Sequence, residues 1–116
     1  MVTDGIAVFS RDITKVFGRG DTQVPALRGI NLKTRLGELA MLVGPSGSGK
    51  TTLLCVITGL LDATSGELVV LDQRPAELSQ EELILFRRKN LGFVFQQYNL
   101  IPALTAAENV AVPLLA

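Results

Sequence analysis

The sequence contains no histidine, no tryptophan and only one cysteine, Cys55, among its 116 residues. A single cysteine cannot form an internal disulfide, and without histidine the chain offers no Cys/His cluster for zinc. The composition therefore excludes a disulfide-stapled secreted domain and a zinc module of the usual kind. It is typical of a protein in a reducing compartment.

The chain also has no net charge, because its eleven Lys and Arg residues balance its eleven Asp and Glu residues. No net field attracts nucleic acid, so we expect no nucleic-acid partner and expect any anion to be held by a local site. No apolar run approaches the about 18 residues of a membrane span, and the start "MVTDGIAVFSRD" lacks the pattern of a secretory signal. These absences predict a cytoplasmic chain that does not itself cross the membrane.

Hydrophobic residues, by contrast, are abundant: they make up 47% of the chain, only 19% is charged, and the mean hydropathy is +0.37. This balance predicts apolar surface that a partner covers. No charged residue follows Glu108 in the ending "NVAVPLLA". We therefore expect the chain to stop inside a structural element rather than in a polar terminus.

The first third of the sequence predicts two antiparallel strands. Residues 6–17, "IAVFSRDITKVF", favour a half-buried strand, and "GRGDTQ" supplies a turn. A second strand is expected within Val24 to Arg35. The following "ELAMLV", residues 38–43, is continuously apolar after Glu38, which is typical of a strand covered on both faces in an α/β sheet.

A helix is predicted after the glycine-rich loop, because apolar residues recur at helical spacing from Leu53 to Leu61. Apolar residues occupy almost every face of this predicted helix, so we expect it to be buried. "ELVVLD", residues 67–72, predicts a short strand, and "LGFVF", residues 91–95, predicts another strand of the core.

Two capping-box patterns mark the starts of two further helices. Ser79 with Glu82 opens a helix that should run to about Lys89. Thr105 with Glu108 precedes a short last helix, which Pro113 should disturb.

The stretch "GPSGSGKTT" matches the phosphate-binding pattern G-x-x-x-x-G-K-[ST] through Gly44, Gly49, Lys50 and Thr51. Glycines let successive N–H groups point at phosphate oxygens, the lysine places a cation on the β- and γ-phosphates, and the threonine hydroxyl is a ligand for Mg²⁺. The predicted helix adds the positive end of its dipole. The predicted nucleotide-binding loop comprises Gly44, Pro45, Ser46, Gly47, Ser48, Gly49, Lys50, Thr51 and Thr52.

This loop by itself does not separate kinases, GTPases, ATPases and transport motors. A second candidate is Gln96, which follows the apolar run "LGFVF". Ligands of open parallel sheets lie beyond the carboxyl ends of the strands, so Gln96 is placed near the γ-phosphate and Mg²⁺. Gln97 is the competing assignment.

Several separated stretches together resemble the N-terminal half of an ABC-transporter nucleotide-binding domain. They are "ALRGINLKTRLGELAMLVGPSGSGKTTLL", "GLLDATSGEL" and "RRKNLGFVFQQYNLIPALTAAENVAVPL". Within that family the chain is most similar to the lipoprotein-release, macrolide-export and cell-division group. The resemblance implies an α/β fold: a P-loop NTPase core with an antiparallel β-subdomain, truncated before the signature motif. Residues 1–116 would then be the N-terminal part of one such domain.

The resemblance also implies a set of roles. Phe17 would stack on the adenine of ATP, Lys50 and Gln96 would be catalytic, and Thr51 and Gln96 would bind Mg²⁺. Gln96 would also couple the site to transmembrane permease subunits. A second nucleotide-binding domain would complete a head-to-tail dimer on the cytoplasmic face of the membrane.

The parts that this family uses for hydrolysis are absent from the sequence: a loop of the L-S-G-G-Q type, an Asp-Glu pair and a switch histidine. We therefore expect ATP binding without efficient turnover by this chain alone. Asp72, at the end of "LVVLD", could be taken for the Mg²⁺-binding aspartate of a P-loop enzyme, but the resemblance assigns it to the antiparallel β-subdomain. The alternatives are a small P-loop kinase or GTPase that uses Asp72, and a non-catalytic module that binds a membrane partner through residues 96–102.

Overall fold

The computed structural model describes residues 5–45, 47–94 and 102–111. The chain divides into two compact units, Met1–Ser79 and Gln80–Ala116. Among the described residues, the first unit contains a sheet, one α-helix, two 3₁₀ turns and the glycine-rich loop, and the second unit contains two α-helices. No helix among the described residues is long and apolar enough to cross a membrane.

The sheet of the first unit has three antiparallel strands, β1 (Ile6–Phe17), β2 (Val24–Arg35) and β3 (Ser65–Val70), in the order β2-β1-β3. A 3₁₀ turn, Gly20–Thr22, joins β1 to β2 where the sequence predicts a turn. The first two strands have the predicted bounds and pairing, so this hairpin is confirmed.

A bulge in β1 brings its backbone unusually close to β3. Asp12 has a positive φ of 51°, and the pairing of both neighbouring strands shifts around this residue. Opposite it, Gly66 has a φ of 104°, and a Cβ at this position would collide with the Asp12 carbonyl. Position 66 therefore requires glycine both for its backbone angles and for space.

The core of the first unit lies between the sheet and helix α1 (Lys50–Ile57). Its buried cluster consists of Ile13, Leu27, Leu53 and Val56. The helix is predicted to be buried all round, and this is wrong on one side, because the Leu54 side chain is 46% exposed. One face of α1 packs on the sheet and positions the loop that precedes it.

The two segments predicted as core strands, residues 38–43 and 91–95, are not strands in the described part of the chain, which ends at 94 in the second case. Leu39 is 96% exposed, Val43 81% and Val94 97%. A strand forms only when a neighbour satisfies its backbone groups, and none of the three described strands pairs with either segment. We call residues 38–43 and 91–94 the uncovered segments.

The strand predicted at residues 67–72 begins and ends two residues earlier, as β3. Leu71 and Asp72 have positive φ angles of 47° and 65°, and Val70 forms a bridge to Gln73. Asp72 therefore lies in a tight turn at the edge of the antiparallel sheet. A second 3₁₀ turn, Pro75–Glu77, follows.

The helices of the second unit are α2 (Gln80–Asn90) and α3 (Ala106–Ala111). The first begins directly after Ser79, as predicted. At the second, the Thr105 N–H donates to Glu108 Oε1 at 2.8 Å and the Glu108 N–H donates to Thr105 Oγ1 at 3.2 Å, so this capping box is confirmed. Pro113 lies outside the described residues.

Candidate functional site

The glycine-rich loop is fixed to β2 through Gly49, the residue before α1. Gly49 has a left-handed φ of 94°, and a Cβ there would lie 2.7 Å from the Ala26 carbonyl oxygen and 3.2 Å from Leu27 Cδ2. Any larger residue would both strain the backbone and push the loop off the strand. The start of α1 is therefore held against the first residues of β2, an edge strand of the three-stranded sheet.

The first turn of α1 presents backbone donors at this loop. The Leu53 N–H donates to the Gly49 carbonyl at 2.9 Å, which is the first hydrogen bond of the helix. The N–H groups of Lys50, Thr51 and Thr52 precede that bond and have no partner within the helix ladder. The first turn also contains no acidic residue. This helix end therefore has the geometry and the electrostatics of an anion site.

The ammonium of Lys50 lies at the centre of the loop. It donates to the Gly44 carbonyl, to the Pro45 carbonyl at 2.8 Å and to Ser48 Oγ at 3.3 Å. The Ser48 N–H in turn donates to the Pro45 carbonyl at 3.2 Å. All three acceptors of Lys50 are neutral oxygens, so a phosphate oxygen is a stronger partner for this cation.

Close packing extends to the first glycine of the loop. A Cβ at Gly44 would lie 2.8 Å from Ser48 Oγ and 4.0 Å from Lys50 Nζ. The Ser48 side chain can rotate away from Gly44, whereas the Ala26 carbonyl opposite Gly49 belongs to the backbone, so space requires glycine at Gly49 rather than at Gly44. Ser46 lies outside the described residues.

Phe17 ends β1 near this loop. It pairs with Val24 on β2, two residues before Ala26, whose carbonyl contacts Gly49. At the usual strand rise of about 3.4 Å per residue, the Phe17–Val24 pair lies roughly 7 Å along β2 from that contact. The Phe17 side chain is 40% exposed. An exposed ring therefore lies close to a phosphate-type loop.

One residue of this region was not among the predicted site residues. Lys15 places its Nζ 5.3 Å from the centroid of the Phe17 ring and donates to the Asp62 carbonyl at 2.6 Å. Residues i and i+2 of a strand share a face, so the spacing of Lys15 and Phe17 could have indicated the contact. Its acceptor, 47 residues along the chain, could not have been inferred.

The remaining predicted residues are distributed as follows. Thr51 is exposed and Thr52 half-buried in the first turn of α1, whereas Gln96 and its alternative Gln97 lie outside the described residues. Asp72 is on the antiparallel sheet. Within residues 5–45, 47–94 and 102–111, no group of three or more His, Cys, Asp or Glu residues could hold a metal ion.

Comparison with known proteins decides the family. The family model described as ABC transporter matches residues 27–114, which is most of the chain. The chain belongs to the ABC transporter family. The match includes β2 from Leu27 onward, the glycine-rich loop and the three α-helices of the described residues. The family predicted from the sequence is confirmed.

Two relatives place the chain more closely within the ABC transporter family. The lipoprotein-releasing system ATP-binding protein LolD 2 of Rhodospirillum rubrum is 48% identical over 106 residues, covering 91% of this chain and 46% of LolD 2. The macrolide export ATP-binding/permease protein MacB of Bdellovibrio bacteriovorus is 44% identical over 106 residues, covering 90% of this chain and 16% of MacB. The predicted similarity to lipoprotein-release and macrolide-export proteins is confirmed.

A solved structure supports the fold. The dimeric, post-hydrolysis structure of the ATP-binding cassette MJ0796 of Methanocaldococcus jannaschii, bound to ADP and Pi, is similar with a TM-score of 0.82 at 44% identity. The similarity covers 93% of this chain and 47% of MJ0796. The predicted α/β cassette with an antiparallel β-subdomain is confirmed. The chain spans about half the length of the ATP-binding relatives that it matches.

Proposed function

We propose that this chain is the ATP-binding part of an ABC transporter, in which ATP binding and hydrolysis by the whole protein drive transport through transmembrane partners. The observation that carries the proposal is the fixed loop. Gly49 lies against β2 at the start of α1, and the Lys50 ammonium lies among the oxygens of the loop, where it donates to the Pro45 carbonyl at 2.8 Å. Family membership favours ATP as the ligand.

The proposed roles follow from the donors present. The N–H groups of Lys50, Thr51 and Thr52 bind phosphate oxygens, and the Lys50 ammonium exchanges its carbonyl acceptors for the β- and γ-phosphates. The Thr51 hydroxyl and Gln96 are the proposed ligands of Mg²⁺. When bound, the ion neutralises charge that develops on the transferring phosphoryl group. The exposed Phe17 ring stacks on the base.

We further propose that residues 1–116 form the N-terminal part of one nucleotide-binding domain. The sequence has no histidine, no Asp-Glu pair and no L-S-G-G-Q loop. The phosphate loop can bind ATP, but binding alone does not position a water or stabilise the transition state. The chain should therefore bind ATP without efficient turnover until the other parts are supplied.

The partners that fit this role are permease subunits and a second nucleotide-binding domain. MacB is named an ATP-binding/permease protein, and the MJ0796 cassette is described as a dimer. By analogy we place this chain at the cytoplasmic face of a membrane, as one of two facing domains. The small P-loop kinase or GTPase is not favoured, because Asp72 lies on the antiparallel sheet. No described contact favours a purely non-catalytic module.

The test is Mg²⁺-dependent binding of a fluorescent ATP analogue to the 116-residue chain. Lys50→Ala should weaken binding roughly 10- to 100-fold, because a charge-assisted contact to phosphate is lost. Lys33→Ala is the matched control, since Lys33 lies on β2 opposite Phe9 and should not affect affinity. Equal affinities of wild type and Lys50→Ala would contradict the proposal.

A further inference from the structure

The ammonium of Lys15 makes two contacts that join separate parts of the first unit. It lies 5.3 Å from the centre of the Phe17 ring, on one of the two ring faces. It also donates to the Asp62 carbonyl at 2.6 Å. A cation within about 6 Å of a ring centroid is attracted to the ring face. Lys15 therefore holds Phe17 from one side.

Asp62 belongs to the segment that follows α1 and is itself fixed to β1. The Thr64 N–H donates to the Thr14 carbonyl at 2.8 Å, and the Val16 N–H donates to Thr64 Oγ1 at 2.9 Å. The segment that carries the acceptor of Lys15 is thus joined to β1 by two hydrogen bonds of Thr64. Helix α1 begins at Lys50, in the glycine-rich loop, and the segment after it carries Asp62, which binds Lys15. The Phe17 ring and the loop are therefore both connected to α1.

We propose that Lys15 is a positioning residue for the nucleotide base. This inference rests on the function proposed above. By occupying one face of the Phe17 ring, Lys15 leaves the opposite face for a stacked base and limits the rotation of the ring. Stacking then costs less conformational entropy, because the ring is already oriented.

A similar pair on the same strand serves as an internal reference. The Arg11 guanidinium lies 5.4 Å from the centre of the Phe9 ring, near the start of β1. Phe9 pairs with Lys33 and Val69, whereas Phe17 pairs with Val24, two residues before Ala26. Removing this second cation should have no effect on nucleotide affinity, although the chemical change is comparable.

The experiment compares two ligands, ATP and inorganic tripolyphosphate, which lacks the base. In the 116-residue chain, Lys15→Met should weaken ATP binding roughly 3- to 10-fold and leave tripolyphosphate binding unchanged. Lys15→Arg retains a cation and should restore most of the ATP affinity. In a Phe17→Leu background, Lys15→Met should have no further effect on either ligand. Arg11→Met should leave both affinities unchanged.

The outcomes separate this inference from the proposed function. Equal losses for ATP and tripolyphosphate in Lys15→Met would show a merely structural role and overturn the inference. An unchanged ATP affinity would also overturn it. If wild type binds both ligands equally well, the base makes no contribution: the inference fails and the phosphate loop stands. If wild type binds neither ligand, the proposed function itself fails.

Discussion

The three-stranded sheet and the uncovered segments have similar apolar residues in opposite environments. Val70 on β3 is 1% exposed, whereas Val43 and Val94 in the uncovered segments are 81% and 97% exposed. Each strand of the sheet has a hydrogen-bonded neighbour within the described chain. The difference shows that an apolar run makes burial favourable, but a partner strand decides whether burial happens.

The two regions also differ in how their glycines are used. In the sheet, Gly66 allows β3 to approach the bulge at Asp12. Gly37, which leads into the first uncovered segment, has a positive φ of 75° with nothing within 4 Å of a Cβ at its position. Both glycines need left-handed backbone angles, and only the one in the sheet also needs space.

The largest expected effect uses this pair of glycines. Gly66→Ala should lower the free energy of unfolding by about 3 kcal/mol, because strain at positive φ adds to a backbone collision. Gly37→Ala should lower it by about 1 kcal/mol, from the strain alone. Urea denaturation of the two variants measures both values. Equal losses would mean that close approach of β3 to β1 contributes nothing to stability.

A second, smaller effect uses the same substitution in both regions. Val70→Ala removes a buried side chain and should cost about 2 kcal/mol of unfolding free energy. Val43→Ala should change it by less than about 0.5 kcal/mol, because the side chain is already in water. Thermal and urea unfolding of both variants give the comparison. A cost at Val43 as large as that at Val70 would show that something covers this segment in solution, for example a second copy of the chain.

The elements that could be predicted from the sequence are those with local signals. The alternating pattern at residues 6–17 and the turn after it predict the β1–β2 hairpin, and the capping-box patterns predict the starts of α2 and α3. The uncovered segments were predicted wrongly as strands, because periodicity records what a segment can bury and not whether a neighbour exists. The bulge at Asp12 has no local signal at all.

The candidate site was predictable to a similar degree. The order and spacing of the residue types predict the loop from Gly44 to Thr52, because phosphate binding requires those residue types in that order. The contact of Gly49 with the Ala26 carbonyl and the link from Lys15 to Asp62 join residues far apart in sequence. Such contacts depend on the finished packing, so only the structure shows them.

The smallest expected effect concerns α3, which differs from the sheet because its stabilising contacts are local. None of its residues is buried, and its first turn is closed by the Thr105–Glu108 capping box. The hydrogen bond from the Thr105 backbone N–H, and then that from its side chain, lower the pKa of Glu108 below the ordinary value of 4.5. The carboxylate is therefore the form that stabilises the helix start.

A group whose pKa is lower in the folded state stabilises the fold above its unfolded pKa and loses that contribution as pH falls through the folded value. The helicity of Ala106–Ala111 should thus be constant above pH 4.5 and decline below it, which Cα chemical shifts would measure. Glu108→Gln keeps a side-chain oxygen as acceptor but carries no charge, so it should remove this pH dependence. An acid transition of α3 that survives in Glu108→Gln would assign the effect to other groups. It would then show that α3, like the sheet, depends on contacts beyond its own first turn.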